Sequence, residues 1–249
     1  MRALKNILVT GTTRGIGRAI TELFLEKNNF IYGVYKSDTK AAKLLQQKYP
    51  ERVKMMQYDL SNSKDITKLI QELKLVKLDG IVNNAGVVYF SNWEELNLKE
   101  WEETLAVNLT APLKLVHGLR KNLNKGSSIV NISSVDAFCA AYDSVAYAVS
   151  KAGLISLTKS LSAILGLQGI RVNAIAPGWV ETEMTKETMP DESKKLTPLG
   201  RNAKPKEIAE VVSFLLSNKS SFINGETITV DGGLINVDYT LYKESQNED

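Results

Sequence analysis

A tyrosine four residues before a lysine can act as an acid–base pair on a helix, where side chains at i and i+4 are neighbours. The chain carries this spacing three times, as Tyr32/Lys36, Tyr147/Lys151 and Tyr239/Lys243. The first falls on the run FIYGVY, a strand pattern in which four-residue spacing gives no shared helical face. The third falls in a polar stretch near the end of the sequence. Only Tyr147/Lys151 opens a strong helical pattern, and only it has a serine thirteen residues upstream, Ser134, closing the run SIVNIS and its following residue. That set suits delivery of a proton to an oxyanion. A free phenol titrates near pH ~10, and a neighbouring ammonium stabilises the phenolate and lowers that value. A serine hydroxyl would hold the carbonyl oxygen in place; Ser133 is the rival to Ser134 for this role.

A second set of residues suits phosphate. The first apolar run leads directly into Thr10-Gly11-Thr12-Thr13-Arg14-Gly15-Ile16-Gly17, with a helical pattern starting at about Gly15. Glycines there allow a sharp turn and close approach of backbone to a pyrophosphate, and a helix N-terminus supplies free N–H groups and a positive dipole end.

Both sets need a frame. Seven short β-rich runs, NILVT, FIYGVY, VKMMQY, LDGIVN, SIVNIS, RVNAIAP and TITV, are bounded by Gly, Asn, Asp or Pro and read as strands. Helical patterns lie between them: Ile16, Ala19, Ile20, Leu23 and Phe24 form a buried stripe in the first, and similar patterns run through 39–48, 63–73, 98–121, 146–165 and 205–217. Such alternation predicts an α/β chain: one doubly wound Rossmann-type domain over 1–249, with a mainly parallel seven-stranded sheet and helices on both faces. Two stretches break the rhythm. Residues 178–204 lack periodicity, and 236–249 read as a polar tail that frays.

With 249 residues, 43% of them apolar and 24% charged, the chain has the composition of a globular protein. A formal charge of +3 is too small to point to nucleic acid or an anionic membrane. No run approaches 18 uninterrupted apolar residues and no secretory h-region is present, so no membrane span is expected and the cytoplasm is the expected compartment. One cysteine, Cys139, and one histidine, His117, exclude an intrachain disulfide and make a zinc site or a histidine-based triad improbable; no metal is expected.

Taken together these motifs resemble the short-chain dehydrogenase/reductase family, in its shorter branch, over residues 5–233. The glycine loop has that family's Gly-x-x-x-Gly-x-Gly spacing. Asp59-Leu60, Asn83-Asn84-Ala85-Gly86, Asn108, Ser134, Tyr147-Ala-Val-Ser-Lys151, Pro177-Gly178, Thr182 and Asp231-Gly232-Gly233 follow in the family's order. The resemblance implies hydride transfer between a nicotinamide dinucleotide and a carbonyl or alcohol. Tyr147 would be the acid, Lys151 would hold the nicotinamide ribose, Ser134 the carbonyl oxygen, and Asn108 a water connecting Lys151 to solvent. It implies a cofactor groove built from Gly11, Thr13, Arg14, Gly15, Ile16, Gly17, Tyr35, Lys36, Asp59, Leu60, Asn83, Ala85, Gly86, Tyr147, Lys151, Pro177, Gly178, Val180 and Thr182. Residues 178–204 would be the substrate loop, with Met184, Met189, Leu196 and Leu199 as its apolar face. Asp136, Phe138, Cys139, Tyr142, Tyr89, Phe90 and Trp93 are candidate pocket neighbours.

The stretches AYAVSKAGLISLTKSLS and GIRVNAIAPGWVETEMT are most similar to 3-oxoacyl-[acyl-carrier-protein] reductases, which implies a ketone or acyl-thioester substrate and a possible acyl carrier protein partner. Those enzymes dock the carrier with two basic residues; the corresponding positions here are Lys125 and Gln168, one basic and one neutral. The resemblance also implies a homotetramer built through the fourth and fifth long helical segments and the last strand. In this chain those segments carry apolar residues on several faces, among them Leu105, Val107, Leu109, Leu113, Leu115 and Val116, then Leu154, Ile155, Leu157, Leu161, Ile164 and Leu165. NAD-preferring members end the second strand with an acidic residue on the adenosine ribose. Here Tyr35 holds that place and Lys36-Ser37 follow, with Arg14 on the same side, a set suited to the 2′-phosphate of NADP. Asp38, which follows Ser37, would reverse the preference if a shift of one or two residues in the alignment placed it at the ribose. Three readings follow: an NADPH-linked ketoreductase, an NAD-linked sugar or alcohol dehydrogenase, and an idle dinucleotide-binding module, against which the complete Asn108, Ser134, Tyr147, Lys151 set argues.

Overall fold

The computed structural model describes residues 4–186, 189 and 192–245. Seven strands, β1 (Asn6–Thr10), β2 (Phe30–Tyr35), β3 (Val53–Gln57), β4 (Leu78–Asn83), β5 (Leu123–Ile132), β6 (Arg171–Pro177) and β7 (Thr227–Val230), form one sheet in the order β3-β2-β1-β4-β5-β6-β7. Every neighbouring pair is parallel. The strands are β-branched and aliphatic because both faces of the sheet are covered. On one face Ile66, Leu69, Leu115, Leu119, Leu161 and Leu165 pack on Leu8, Ile81, Ile129 and Val172. On the other, Ile20, Leu23, Phe24, Ile208 and Val212 pack on Ile7, Val9, Val130 and Ile175. The doubly wound α/β architecture is thus present, with a sheet that is wholly rather than mainly parallel.

The helices are α1 (Gly15–Glu26), α2 (Thr39–Lys48), α3 (Ser63–Glu72), α4 (Leu98–Leu105), α5 (Ala111–Leu119), α6 (Val145–Gly166), the single turn α7 (Ser193–Leu196), α8 (Pro205–Leu215) and α9 (Tyr239–Ser245). Three elements, two helical and one a strand, differ from the sequence reading. The segment 98–121 is not one regular helix: a π turn at Ala106–Thr110 separates α4 from α5. Pro112 stands just beyond it and has no N–H to give the Asn108 carbonyl, so the ladder must widen there. β5 begins five residues early, at Leu123, with its register broken between Leu78 and Gly80. Lastly, part of the stretch read as a fraying tail is helical. In α9 the Tyr242 hydroxyl donates to the Lys195 carbonyl at 2.9 Å and the Tyr239 hydroxyl to Leu234 at 3.0 Å, which ties this helix to α7 and to the turn after β7; residues 246–249 of that stretch lie outside the described residues. Among the described residues α6 is the one helix long and apolar enough to cross a membrane; it lies along β6 and β5 instead, with Leu154, Ile155, Leu161 and Leu165 buried.

Candidate active site

The strand order reverses between β1 and β4, and the connections leave the sheet on opposite faces there, so a crevice opens beyond the carboxyl ends of those strands. A continuous groove follows it. Arg14, Tyr35, Lys36, Ser37, Asp38, Asp59 and Leu60 line one end; Gly11, Thr13, Gly15, Ile16 and Gly17 the middle; Ala85, Gly86, Ser134, Tyr147, Lys151, Pro177, Gly178, Val180 and Thr182 the other.

Two loops are locked together in the middle. The Asn84 amide donates to the Thr10 and Gly11 carbonyls at 2.9 and 3.3 Å, while the Thr10 hydroxyl accepts from the N–H groups of Asn84 and Ala85 at 3.0 and 2.9 Å. Gly11 has φ +72°, and a Cβ on Gly17 would overlap the Gly11 carbonyl oxygen and the Asn84 amide. Glycine at these positions is therefore a packing requirement of the turn. The first N–H of α1, on Gly15, is accepted by the Glu183 carboxylate at 3.1 Å, as expected of a helix N-terminus that attracts anions.

At the far end α6 presents Tyr147 and Lys151 one turn apart. Lys151 is 3% exposed; its ammonium donates to the Ile132 carbonyl at 2.7 Å and sits 5.3 Å from the Tyr147 ring centroid. Burial pushes the Lys151 pKa down to about 8, against an upward pull from the Asp136 carboxylate. Burial, followed by the Asp136 charge, pushes the Tyr147 hydroxyl up, and its hydrogen bond with the Ser134 hydroxyl works the other way. The phenol therefore rests protonated. This differs from a phenolate held low by the lysine, because the ammonium is engaged by a backbone carbonyl and lies over the ring. Asp136 is itself pushed up by burial and shares the Ser134 hydroxyl. Ser133 is not available to substrate, since its hydroxyl donates to the Lys151 carbonyl at 2.9 Å.

Asn108 sits in the π turn, 1% exposed. It accepts from Val87 N–H at 2.9 Å and donates to the Val87 carbonyl at 2.9 Å and the Ser150 hydroxyl at 3.0 Å, and Ser150 donates to the Tyr147 carbonyl at 2.7 Å. A Cβ built on Gly86 would lie 3.4 Å from Asn108 Oδ1 and 3.6 Å from Lys151 Nζ, so the two polar groups flank one small gap.

At the opposite end β2 stops at Tyr35. Asp38 caps α2 by accepting from Ala41 N–H at 2.9 Å, which gives its carboxylate a structural partner. Lys36 reaches Asp59 at 3.0 Å and Glu103 at 3.2 Å. The hydrogen bond with Asp59, above all, holds the Lys36 pKa up.

Residues 11–235 match the family model described as enoyl-(acyl carrier protein) reductase. A 3-oxoacyl-[acyl-carrier-protein] reductase of Aquifex aeolicus is 40% identical over 91% of this chain and 96% of its own length. The chain belongs to the short-chain dehydrogenase/reductase family. An NAD-dependent glycerol dehydrogenase of Listeria innocua is 34% identical, over 92% of this chain and 93% of the relative. The crystal structure of the angucycline C-6 ketoreductase LanV with bound NADP has a TM-score of 0.87 and 31% identity, covering 94% of this chain and 96% of that one.

In this short-chain oxidoreductase the groove gathers the catalytic and cofactor residues named from the sequence except Asn83 and Asn108, the latter standing behind it against Val87 and Ser150. Asn83 is the correction: it is 3% exposed and its amide donates to Asn131 at 2.8 Å inside the sheet. Neighbouring residues at a strand end face opposite ways, and Asn84 is the one that lines the groove. Phe138 and Tyr142 are exposed, and Tyr89 and Trp93 border a separate hollow with Trp101 and Asp143. Met184 lines the groove, whereas Met189 lies beside Asn202 in a neighbouring depression; 187–188 and 190–191 of the substrate loop lie outside the described residues. Sequence reasoning missed Asn84, Glu183 and Glu103. The first stood in a motif already quoted; the other two act from distant segments and carried no local signal.

Proposed function

We propose that this oxidoreductase reduces a ketone to a secondary alcohol with NADPH, and that its substrate is a 3-oxoacyl thioester or a similar ketone. One observation carries this reading: a single groove joins a serine–tyrosine–lysine set at one end to Arg14, Lys36 and Ser37 at the other, past a helix N-terminus. The bound nicotinamide would supply hydride to the carbonyl carbon. Ser134 would hold the carbonyl oxygen and Tyr147, protonated at rest, would give it a proton. Lys151, charged below about pH 8, would hold ribose hydroxyls and stabilise the phenolate left behind. Asn108, with its amide already engaged by Val87 and Ser150, would hold the turn at Gly86 and flank a water beside Lys151. Gly11, Thr13, Gly15, Ile16 and Gly17 would cradle the pyrophosphate; Asp59, Leu60, Ala85, Pro177, Gly178, Val180 and Thr182 would line the rest.

The relatives' names support a thioester, and the NADP-bound structural neighbour supports the phosphorylated cofactor. Lys125 packs along Gly169, beside Gln168, so of the two positions that would meet a carrier one is a cation. An NAD-linked alcohol dehydrogenase is the second reading, favoured by the Listeria relative and by the carboxylates already on Lys36. Absorbance of the reduced nicotinamide, followed with acetoacetyl thioesters, simple ketones and glycerol and with both cofactors, separates the two. The ketoreductase reading expects at least about tenfold higher kcat/KM with NADPH, about 1.4 kcal/mol; preference for NADH with glycerol would reject it.

A further inference from the structure

The charge that follows β2 does not act alone. Lys36 is the lysine placed to meet a 2′-phosphate, yet it meets two carboxylates from elsewhere in the fold: Asp59 after β3 at 3.0 Å and Glu103 on α4 at 3.2 Å. Both carboxylates are fixed from behind. Asp59 accepts from the Ser61 N–H and hydroxyl at 2.9 and 2.7 Å, and Glu103 accepts from the Tyr89 hydroxyl at 3.0 Å. Each is about two-thirds shielded, with 32% and 31% of its side chain exposed, while Lys36 is 54% exposed. Within this three-residue cluster one positive charge stands against two negative ones before any phosphate arrives, and a phosphate monoester brings roughly −1.5 to −2 more.

Asp59 lines the groove, but Glu103 does not. It reaches the cofactor's position only through Lys36. We propose that Glu103 is a positioning residue that sets cofactor preference by competing with the 2′-phosphate for Lys36. Resting on the NADPH reading for its physiological sense, this inference predicts that cofactor preference is tuned from α4, outside the segment after β2 whose charge is usually read for it. Removing the Glu103 charge leaves Asp59 as the one carboxylate on Lys36, so the phosphate draws the ammonium more easily, and cofactors without that phosphate are unaffected.

The test is a set of dissociation constants, measured by nucleotide fluorescence or calorimetry, for NADPH, NADH, 2′,5′-ADP and 5′-AMP. The proteins are the unmodified enzyme, Glu103→Gln, Lys36→Ala and the double variant. Glu103→Gln should tighten NADPH and 2′,5′-ADP by about three- to fivefold, the upper range for one exposed ion pair, with NADH and 5′-AMP held within about twofold. In the Lys36→Ala background the same exchange should have no effect. A general loosening of the fold would move all four ligands together. Absence of a selective gain overturns the inference, and so does a gain that survives without Lys36, which would mean plain repulsion. An unmodified enzyme that prefers NADH, combined with a selective gain in Glu103→Gln, would reject the NADPH reading and uphold this one.

Discussion

Tyr147 and Lys151 are one turn apart on the same helix, but burial acts on them in opposite senses. It keeps the phenol protonated and draws the ammonium towards neutrality. A proton donor for reduction gains from the first effect. Tyr147→Phe keeps the ring and removes the proton, so kcat should fall by about two or more powers of ten with NADPH binding unchanged; near-normal turnover would remove Tyr147 from the mechanism. Asp136 is the remaining charge in this cluster and holds the Lys151 pKa up. Asp136→Asn should therefore move the alkaline limb of kcat/KM below its position near pH 8, and superimposable pH profiles for the two proteins would refute the coupling. The lysine also bears on stability. Its folded pKa of about 8 lies below the unfolded 10.5, so the unfolded state binds more protons between those values and stability rises with pH across that window. At neutral pH its burial costs up to about 3 kcal/mol. Lys151→Met should abolish turnover yet raise stability by about 1–2 kcal/mol at pH 7, after about 1 kcal/mol for the lost bond to Ile132, and near pH 10.5 the gain should have turned into a loss of about 1 kcal/mol. Denaturant melts at the two pH values check this.

Among the elements, the π turn at Ala106–Thr110 links local irregularity to the site. It directs a polar side chain inward, where Asn108 satisfies both backbone groups of Val87 and the Ser150 hydroxyl. Asn108→Ala would leave both part-buried backbone groups of Val87 without the amide, while the Ser150 hydroxyl keeps its bond to the Tyr147 carbonyl, at about 1–3 kcal/mol in total. Thermal unfolding should fall by a corresponding margin, and cofactor binding should weaken because Val87 follows the turn that lines the groove. A shift indistinguishable from the unmodified protein would show that water fills the place of the amide. The sequence made the strands and most helices legible, because β-rich runs and three-four stripes are local patterns. It did not show the π turn, since an apolar pattern with one extra residue still reads as a helix and Pro112 was the only local mark of the break. Asn83 was misplaced for a similar reason: a motif gives the order of its residues and not which side of the strand end each one takes. Glu103 was invisible, because its role depends on a lysine sixty-seven positions away.

For the whole molecule, most of the apolar residues on the long helices are accounted for by the sheet. Leu115, Val116, Leu154, Ile155, Leu161 and Leu165 are buried within the chain, while Leu113, Val149 and Ile164 remain 44%, 44% and 64% exposed, with Leu98 at 67% on α4. These residues lie on α4, α5 and α6, the elements through which the proposed tetramer would close. Light scattering at micromolar concentration should give a multiple of 27.5 kDa. A species of 27.5 kDa alone would show that these side chains are simply solvated.

The bond from Tyr242 to the Lys195 carbonyl has a practical bearing on how this enzyme should be handled at the bench. It makes α9 a brace for the loop that precedes α8, so the last described helix is a poor place for an affinity tag or a trimmed boundary. A protein cut before Tyr239 should keep its nucleotide affinity, because among the described residues none of α9 lines the groove. Its KM for the ketone should rise, and trypsin should cut after Lys194 or Lys195 sooner than in the uncut protein. Equal digestion rates would show that the brace is idle.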